Sequence, residues 1–567
     1  VVSPAVALAM AGSPACERER SAPIESPSGP TRGGDLTVSI RSDPQTFSWY
    51  TRHDSSTYIV VLLSQAGLIR VNRVTDEIEP WLAESWTRSD DGLRYTVKLR
   101  QGVTFADGHP FTADDVVFSL AAAYDDKGGS VLGDSMRAAG KDLRIEAIDA
   151  HTVAVVFPQP FGAGLRLFDN LPILPKHLLH DAVARDGIGS TWRVSGPVTD
   201  VVGLGPFVLS EYVAGQRIVF TRNQRYFRKD SSGAPLPYLD RVIVNIVGDQ
   251  NAEILRLESG ESDMSSAEIR PEDYSRVKRA ADAGRLQLFD LGVGLEAESL
   301  WFNLKPAAFA GDPRAPWIQR DELRQAIAHA VDRQLFADTV FFGAATPISG
   351  PVTPGNRKWH SFSLPSVAHD PARAKALLAS IGLEDRNRDG LLDDPAGRTA
   401  RFTVTTAKGQ AAYERGAAVI QSELRKIGLL VDVAMLEANA LYAVVFGGKY
   451  DAIYFRLTFS DTDPALTPDF WLSSGGARLW NPAQPKPATE WEARLDEVMR
   501  QQMASLDDGE RFRLFEEAQQ IFAAHQPMIY FAAPRIYAAA SSRLLNLQPM
   551  LRRPQLLWSP DTLAVGR

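Results

Sequence analysis

A mixed α/β fold divided among two or three lobes is predicted by three observations. They are the length of the chain, the succession of strand-period and helix-period segments along it, and the lack of a phosphate-cradling glycine loop between them. At 567 residues the chain exceeds the size at which one hydrophobic core keeps growing, so more than one lobe is expected. Apolar residues make up 44% of it and charged residues 23%, the range of ordinary soluble globular chains. The net charge is −8 and no Lys/Arg run stands out, so the basic footprint of a nucleic-acid binder is missing.

The segment Val1–Ala15, VVSPAVALAMAGSPA, is apolar and rich in small residues, like the end of a signal peptide. Cys16, the one cysteine of the chain, follows it. A single cysteine allows neither an internal disulfide nor a four-cysteine zinc site. Ser13 and Ala15 supply the small residues that lipoprotein processing needs, although the usual Leu three residues before the cysteine is absent. Residues 1–16 therefore read as a signal and lipid-attachment segment, with an incidental cysteine after ordinary cleavage as the alternative. Residues 17–34, polar and rich in Pro, Ser and Gly, read as a disordered tether.

Strands are expected at Asp35–Ile40, Arg94–Arg100 and Thr152–Phe157, where apolar residues alternate. Thr112 is placed to cap a helix over Ala113–Tyr124, with Asp114 and Asp115 at its positive end. Leu323, Ile327, Val331 and Leu335, at fourth-residue spacing, predict a helix over Asp321–Phe336. Asp370-Pro371 opens a helix that Gly382 closes. A helix over Gln410–Ile427 runs through Gly428 into a strand at Leu429–Leu436, the order of α/β proteins. Helices at Trp491–Met503 and Gly509–Ala524 and a strand at Met528–Ala532 complete the pattern.

No GxxxxGK[ST], GxSxG or HExxH occurs, and no two of the nine histidines have metal-ligand spacing. Without a nucleophile–base constellation an enzyme has no residues to work with. One metal-like pattern exists. Asp385, Asn387, Asp389 and Asp393 occupy positions 1, 3, 5 and 9 of an EF-hand-type loop, with Gly390 at position 6. The closing bidentate Glu is replaced by Ala396, so a solvated turn is the first reading and a structural calcium the alternative. No other cofactor is expected.

Several segments resemble a known family. Leu82–Leu120 (LAESWTRSDDGLRYTVKLRQGVTFADGHPFTADDVVFSL), Gly205–Asp263 with GPFVLSEYVAGQRIVFTRNQRYF and PYLDRVIVNIV, Leu300–Val331 with LWFNL and ELRQAIAHAVDR, and PMIYF at Pro527–Phe531 look like the extracytoplasmic solute-binding proteins of ABC importers for dipeptides, oligopeptides and nickel. The resemblance runs over nearly the whole chain from about Asp35. It implies a periplasmic-binding-protein-like α/β fold of the three-domain type, with two main lobes closing by a hinge and an extra domain. One lobe would combine 35–70, 175–290 and 518–567, the additional domain would span 71–174, and the other lobe 291–517. It also implies a monomer, exported to the periplasm or cell surface, that delivers a peptide or other small polar solute to membrane permease subunits. A non-peptide ligand such as an oligosaccharide, or a sensor role without an importer, is the alternative.

In peptide-binding relatives a carboxylate pairs with the free ammonium of the peptide. The residue matching it here is Ser460, within YDAIYFRLTFSDTDP at Tyr450–Pro464, and the relatives' small-residue-plus-Trp pair falls on Arg456-Leu457. Either Asp461, one position on, supplies the charge, or the ligand has no free amino group there. Asp463-Pro464 matches the family's acidic-Pro pair and shapes the turn in the alternative reading. Trp49, Tyr50, Trp471 and Trp480 are candidates for stacking on a ligand, with core packing as the competing role. Cys16→Ser, expressed in a lipidating host, is expected to shift the protein from the membrane to the soluble fraction. A wild-type protein that is already wholly soluble would rule the lipid out.

Overall fold

Strands form where alternation lets each bury one face. In a computed structural model describing residues 32–125, 127–138, 140–459 and 461–566, Asp35–Ile40 pairs in parallel with Arg241–Ile246, from Asp35 opposite Arg241 to Ile40 opposite Ile246. Arg217–Arg222 and Phe207–Val213 extend this sheet antiparallel. Leu36, Val38, Val242, Val244, Ile218 and Phe220 supply its buried face. Cys16, Ser460, the expected signal segment 1–16 and most of the expected tether lie outside the described residues.

A second, antiparallel sheet runs Ala83–Arg88, Arg94–Leu99, Thr152–Val156, Arg144–Asp149. Against it packs the helix Ala113–Ala123, whose Asp115 carboxylate accepts the Thr112 backbone N–H at 2.9 Å, one arm of a capping box. A third sheet has the order Leu430–Leu436, Arg401–Ala407, Ala452–Arg456, Glu298–Phe302, Met528–Tyr530. Its first two strands are parallel and are joined through the helix Ala411–Lys426, as the helix-to-strand order predicts. All five residues of Glu298–Phe302 are buried, between antiparallel neighbours on both sides.

The helix expected over Asp321–Phe336 is two helices, Asp321–Ala330 and Arg333–Phe341. The Asp332 carboxylate accepts the backbone N–H groups of Gln334 and Leu335, at 2.9 and 3.1 Å. It starts a new helix there, and Leu335, which the spacing would bury, is exposed. Pro371–Ser380 is capped by Asp370 as expected.

Leu286–Val293 pairs with Ala532–Ser541, and Ala345–Pro347 flanks the latter. Met264 bridges Val38 and Ala540, linking these strands to the first sheet. The chain passes from here into the five-stranded sheet twice, side by side, at residues 294–297 and at Phe531. The Gly294 N–H donates to the Pro534 carbonyl at 2.8 Å and the Phe531 N–H to the Glu298 carbonyl at 3.0 Å. Met528–Tyr530 therefore pairs with the sheet of residues 291–517, although the expected boundary at 518 would assign it elsewhere.

Beside the five-stranded sheet, Trp480 is fully buried. Its ring meets those of Phe470 at 5.5 Å and Phe522 at 5.6 Å, both edge-on. Such a ring has no free face for a ligand, so the core role wins for Trp480. Trp480→Ala is expected to cost about 3–5 kcal/mol of stability through the cavity it leaves, measured by urea denaturation.

Candidate functional site

The strand Ala452–Arg456 delivers the loop around Asp461 to the edge of a pocket. Leu295 and Glu296 come to this pocket from the first crossing between sheets. Asn356, Phe459, Trp471 and Arg552 come from other stretches of chain.

Asp461 is the most heavily engaged of the expected site residues. Its Oδ1 accepts from Arg166 Nε at 2.8 Å and from the Asp463 N–H at 2.9 Å. Its Oδ2 lies 3.2 Å from Arg552 Nη1. Arg166 also holds Asp76 at 2.6 Å and donates to Thr462 Oγ1 at 3.0 Å. Arg552 reaches Asp169 at 3.5 Å. Burial alone would raise the Asp461 carboxyl, but Arg552 and Arg166 with the hydrogen bonds outweigh it and hold the group below its ordinary range. Both oxygens serve protein guanidinium groups, so the carboxylate is not free to neutralise a ligand ammonium as one of the two expectations requires.

Asp463 caps the short turn Pro464–Leu466 by accepting the Ala465 N–H at 2.9 Å, and it pairs with buried Arg511. That is the turn-shaping role. Trp471 lines the pocket while packing edge-on against Phe470 and Phe515, at 4.9 and 5.0 Å. Tyr50 is buried, its hydroxyl donating to the carbonyls of Ser119 and Pro172 at 3.2 and 2.7 Å. It is a core residue and not a cleft-facing ring. Half-buried Trp49 stacks on His53 at 4.3 Å and lies against Tyr58 at 5.1 Å.

Arg456 belongs to a second charged group. The strand register sets it opposite Glu298, with Arg456 Nε 4.0 Å from Glu298 Oε1. Glu268 accepts from Arg456 at 2.8 Å and from Arg553 at 2.7 Å. Burial would lift the Glu268 carboxyl, yet the two guanidinium groups pull it down to about 2. Glu296 and Glu298 behave oppositely. Burial raises both, and the more distant arginines offset it only in part.

Arg166, Arg552, Glu268, Glu296 and Glu298 were not singled out from sequence. Glu298 leaves one trace there, as an acid in the otherwise apolar run ESLWF.

In the loop with EF-hand-like spacing, Asp385 Oδ2 accepts the Gly390 N–H at 3.1 Å, Asn387 Oδ1 the Asp389 N–H at 2.9 Å, and Asp389 Oδ1 the Leu391 N–H at 2.7 Å. Asp393 pairs through its backbone with Glu384 and Thr399. No group of three or more His, Cys, Asp or Glu among the described residues is placed to hold a metal ion. The Asn387 and Asp389 contacts are Asx turns, the geometry of the first reading, a solvated turn.

No helix among the described residues is long and apolar enough to cross a membrane. The profile of the "Bacterial extracellular solute-binding proteins, family 5 Middle" matches residues 77–478. The chain is 26% identical over 545 residues to the "Probable ABC transporter-binding protein" of Deinococcus radiodurans, covering 92% of this chain and 90% of that protein. It is 28% identical over 526 residues to the oligopeptide-binding protein AppA of Bacillus subtilis, covering 91% and 89%. The crystal structure of the ABC transporter substrate-binding protein CtaP from Listeria monocytogenes matches with a TM-score of 0.77 at 25% identity, over 95% of this chain and 100% of that one. With a mixed α/β architecture that matches such a structure along nearly its whole length, the chain belongs to the bacterial extracellular solute-binding proteins, family 5, the substrate-binding components of ABC importers.

Proposed function

We propose that this chain captures a peptide or similarly sized polar solute in the pocket bordered by Glu296, Phe459 and Trp471, and hands it to the permease subunits of an ABC importer. The observation that carries the reading is the position of the pocket. It lies beside the double chain crossing and beside the Arg166–Asp461–Arg552 bridge, whose Arg166–Asp461 arm alone joins residues 295 apart in sequence. A site walled by remote segments encloses its ligand when those segments come together. AppA of Bacillus subtilis, solved with a nonapeptide, matches with a TM-score of 0.74 at 25% identity over 95% of this chain, which supports a peptide-sized occupant. A neutral ligand such as an oligosaccharide is the second reading, favoured by the neutralisation of Asp461 and by the aromatic wall of Phe459 and Trp471.

In this reading the lobes follow the division 35–70, 175–290 and 518–567, then 71–174, then 291–517, with 528–530 serving the sheet of the last. Lipid on Cys16 would anchor a monomer to the outer face of a bacterial membrane. Arg166 then comes from the additional domain, Asp461 from one lobe and Arg552 from the other, so their bridge acts as a latch on the closed form.

Native mass spectrometry of the purified protein, followed by calorimetry with a peptide and an oligosaccharide panel, tests the assignment. A solute in neither class, or none at all, would overturn it. The latch has its own measurement. Asp461→Asn strands two buried guanidinium groups and is expected to cost about 3–5 kcal/mol, with a larger radius of gyration by small-angle scattering. Because the folded carboxyl titrates below its ordinary value of 3.8, its stabilisation is fully present above that pH and is lost as pH falls through the lowered value. An unchanged radius for the variant at neutral pH would exclude the latch.

A further inference from the structure

Two groups of charges, mostly buried, lie near the pocket, and they differ in balance. The first sets Arg73, Arg166 and Arg552 against Asp76, Asp169 and Asp461, joined by contacts of 2.6, 2.8, 3.2 and 3.5 Å, with Arg73 donating to Tyr58 at 2.8 Å and facing Asp169. Three cations meet three anions. The second sets Arg456 and Arg553 against Glu268, Glu296 and Glu298. Two cations meet three anions, and the neutral Tyr454 hydroxyl neighbours Glu298.

Within the second group the pairing is uneven. Glu268 takes the hydrogen bonds of both arginines. Glu296 and Glu298 approach an arginine no closer than 4.0 Å, beyond hydrogen-bond range. Glu298 Oε2, on a side chain 2% exposed, accepts no hydrogen bond. Glu296, whose side chain is 12% exposed, is the member of the group that lines the pocket. A buried anionic charge whose nearest arginine stands beyond hydrogen-bond range is poorly compensated, and the space beside it is where a further compensating group can arrive.

We infer that the Glu296 end of the pocket is a cation subsite, selecting solutes that carry an ammonium or guanidinium group. Glu296 makes the contact, with Glu298 adding its field from behind. The inference rests on the reading of this pocket as the solute site. It moves the recognition of positive charge from the Asp461 loop, where the carboxylate is already neutralised, to the crossing at residues 294–297. The same placement ties the occupant to closure, because Glu296 sits on chain that passes between two sheets.

The experiment uses four probes in calorimetry: spermidine, trialanine with a free amino terminus, N-acetyl-trialanine, which differs from it by the blocked amine, and maltotriose. Wild type is expected to bind spermidine and trialanine at least tenfold more tightly than the two probes without an amine. Glu296→Gln is expected to abolish that preference. Equal affinity for trialanine and its acetylated form, failure of wild type to bind either amine, or an unchanged preference in Glu296→Gln would each overturn the cation subsite. A measurement without ligand guards against misfolding. Removing an uncompensated charge, Glu296→Gln is expected to melt no lower than wild type at neutral pH, whereas Glu268→Gln, which breaks two ion pairs, melts lower. A clear drop for Glu296→Gln would mean that its charge is already compensated and would also overturn the inference. Asn356→Trp fills the pocket without changing its charge and is expected to stop all binding. Amine probes that still bind this variant would reject the pocket itself, a result distinct from failure of the cation subsite alone.

Discussion

Asp461 joins three remote parts of the chain through two arginines. Its two oxygens take Arg166 and Arg552, and Arg166 in turn takes Asp76. A buried pair of this kind is a poor source of stability compared with apolar packing of the same volume, because desolvating the ions consumes most of their attraction. It is a good source of specificity, since only one arrangement of the three segments satisfies every charge. Removing one member leaves the others uncompensated, and this asymmetry makes a buried network behave as a switch between two arrangements. The pocket and the turn capped by Asp463 lie beside it.

The fold was largely legible in the sequence because period carries it. Alternation located Asp35–Ile40 and Arg94–Leu99, and capping residues located the starts at Thr112 and Asp370. The helix over 321–336 failed for a local reason. Asp332 competes for backbone N–H groups and restarts the helix, and a stripe of fourth-residue apolar positions does not report that. The site was less legible. The loop at 456–463 was found, through the resemblance, but the role expected for Asp461 depended on partners 295 and about 90 positions away along the chain. Neither Arg166 nor Arg552 stands in a local pattern that marks it.

The aromatic residues show the same limit from the other side. Tryptophan and tyrosine have both the area to fill a core and the polar edge to meet a ligand, so sequence leaves the two roles open. Burial decides between them here. Tyr50 and Trp480 are enclosed, whereas Trp471 lines the pocket. Its neighbours Phe470 and Phe515 fix its orientation, so whatever touches it meets a rigid wall.

The double passage of chain between the two sheets has a mechanical consequence. Two adjacent backbone segments, hydrogen-bonded to their neighbours on both sides, resist shear and stretch but permit rotation about the line joining them. Gly294 sits so close to the Pro534 carbonyl that an added Cβ would lie 3.0 Å from that oxygen. This leaves the pivot thin, with little bulk to impede turning. In the hinge reading, such a connection would act as a pair of door pins. A molecule hinged in this way would pass through few partly open shapes, so the entropy lost on shutting would be small and most of a ligand's contact energy would remain available as affinity.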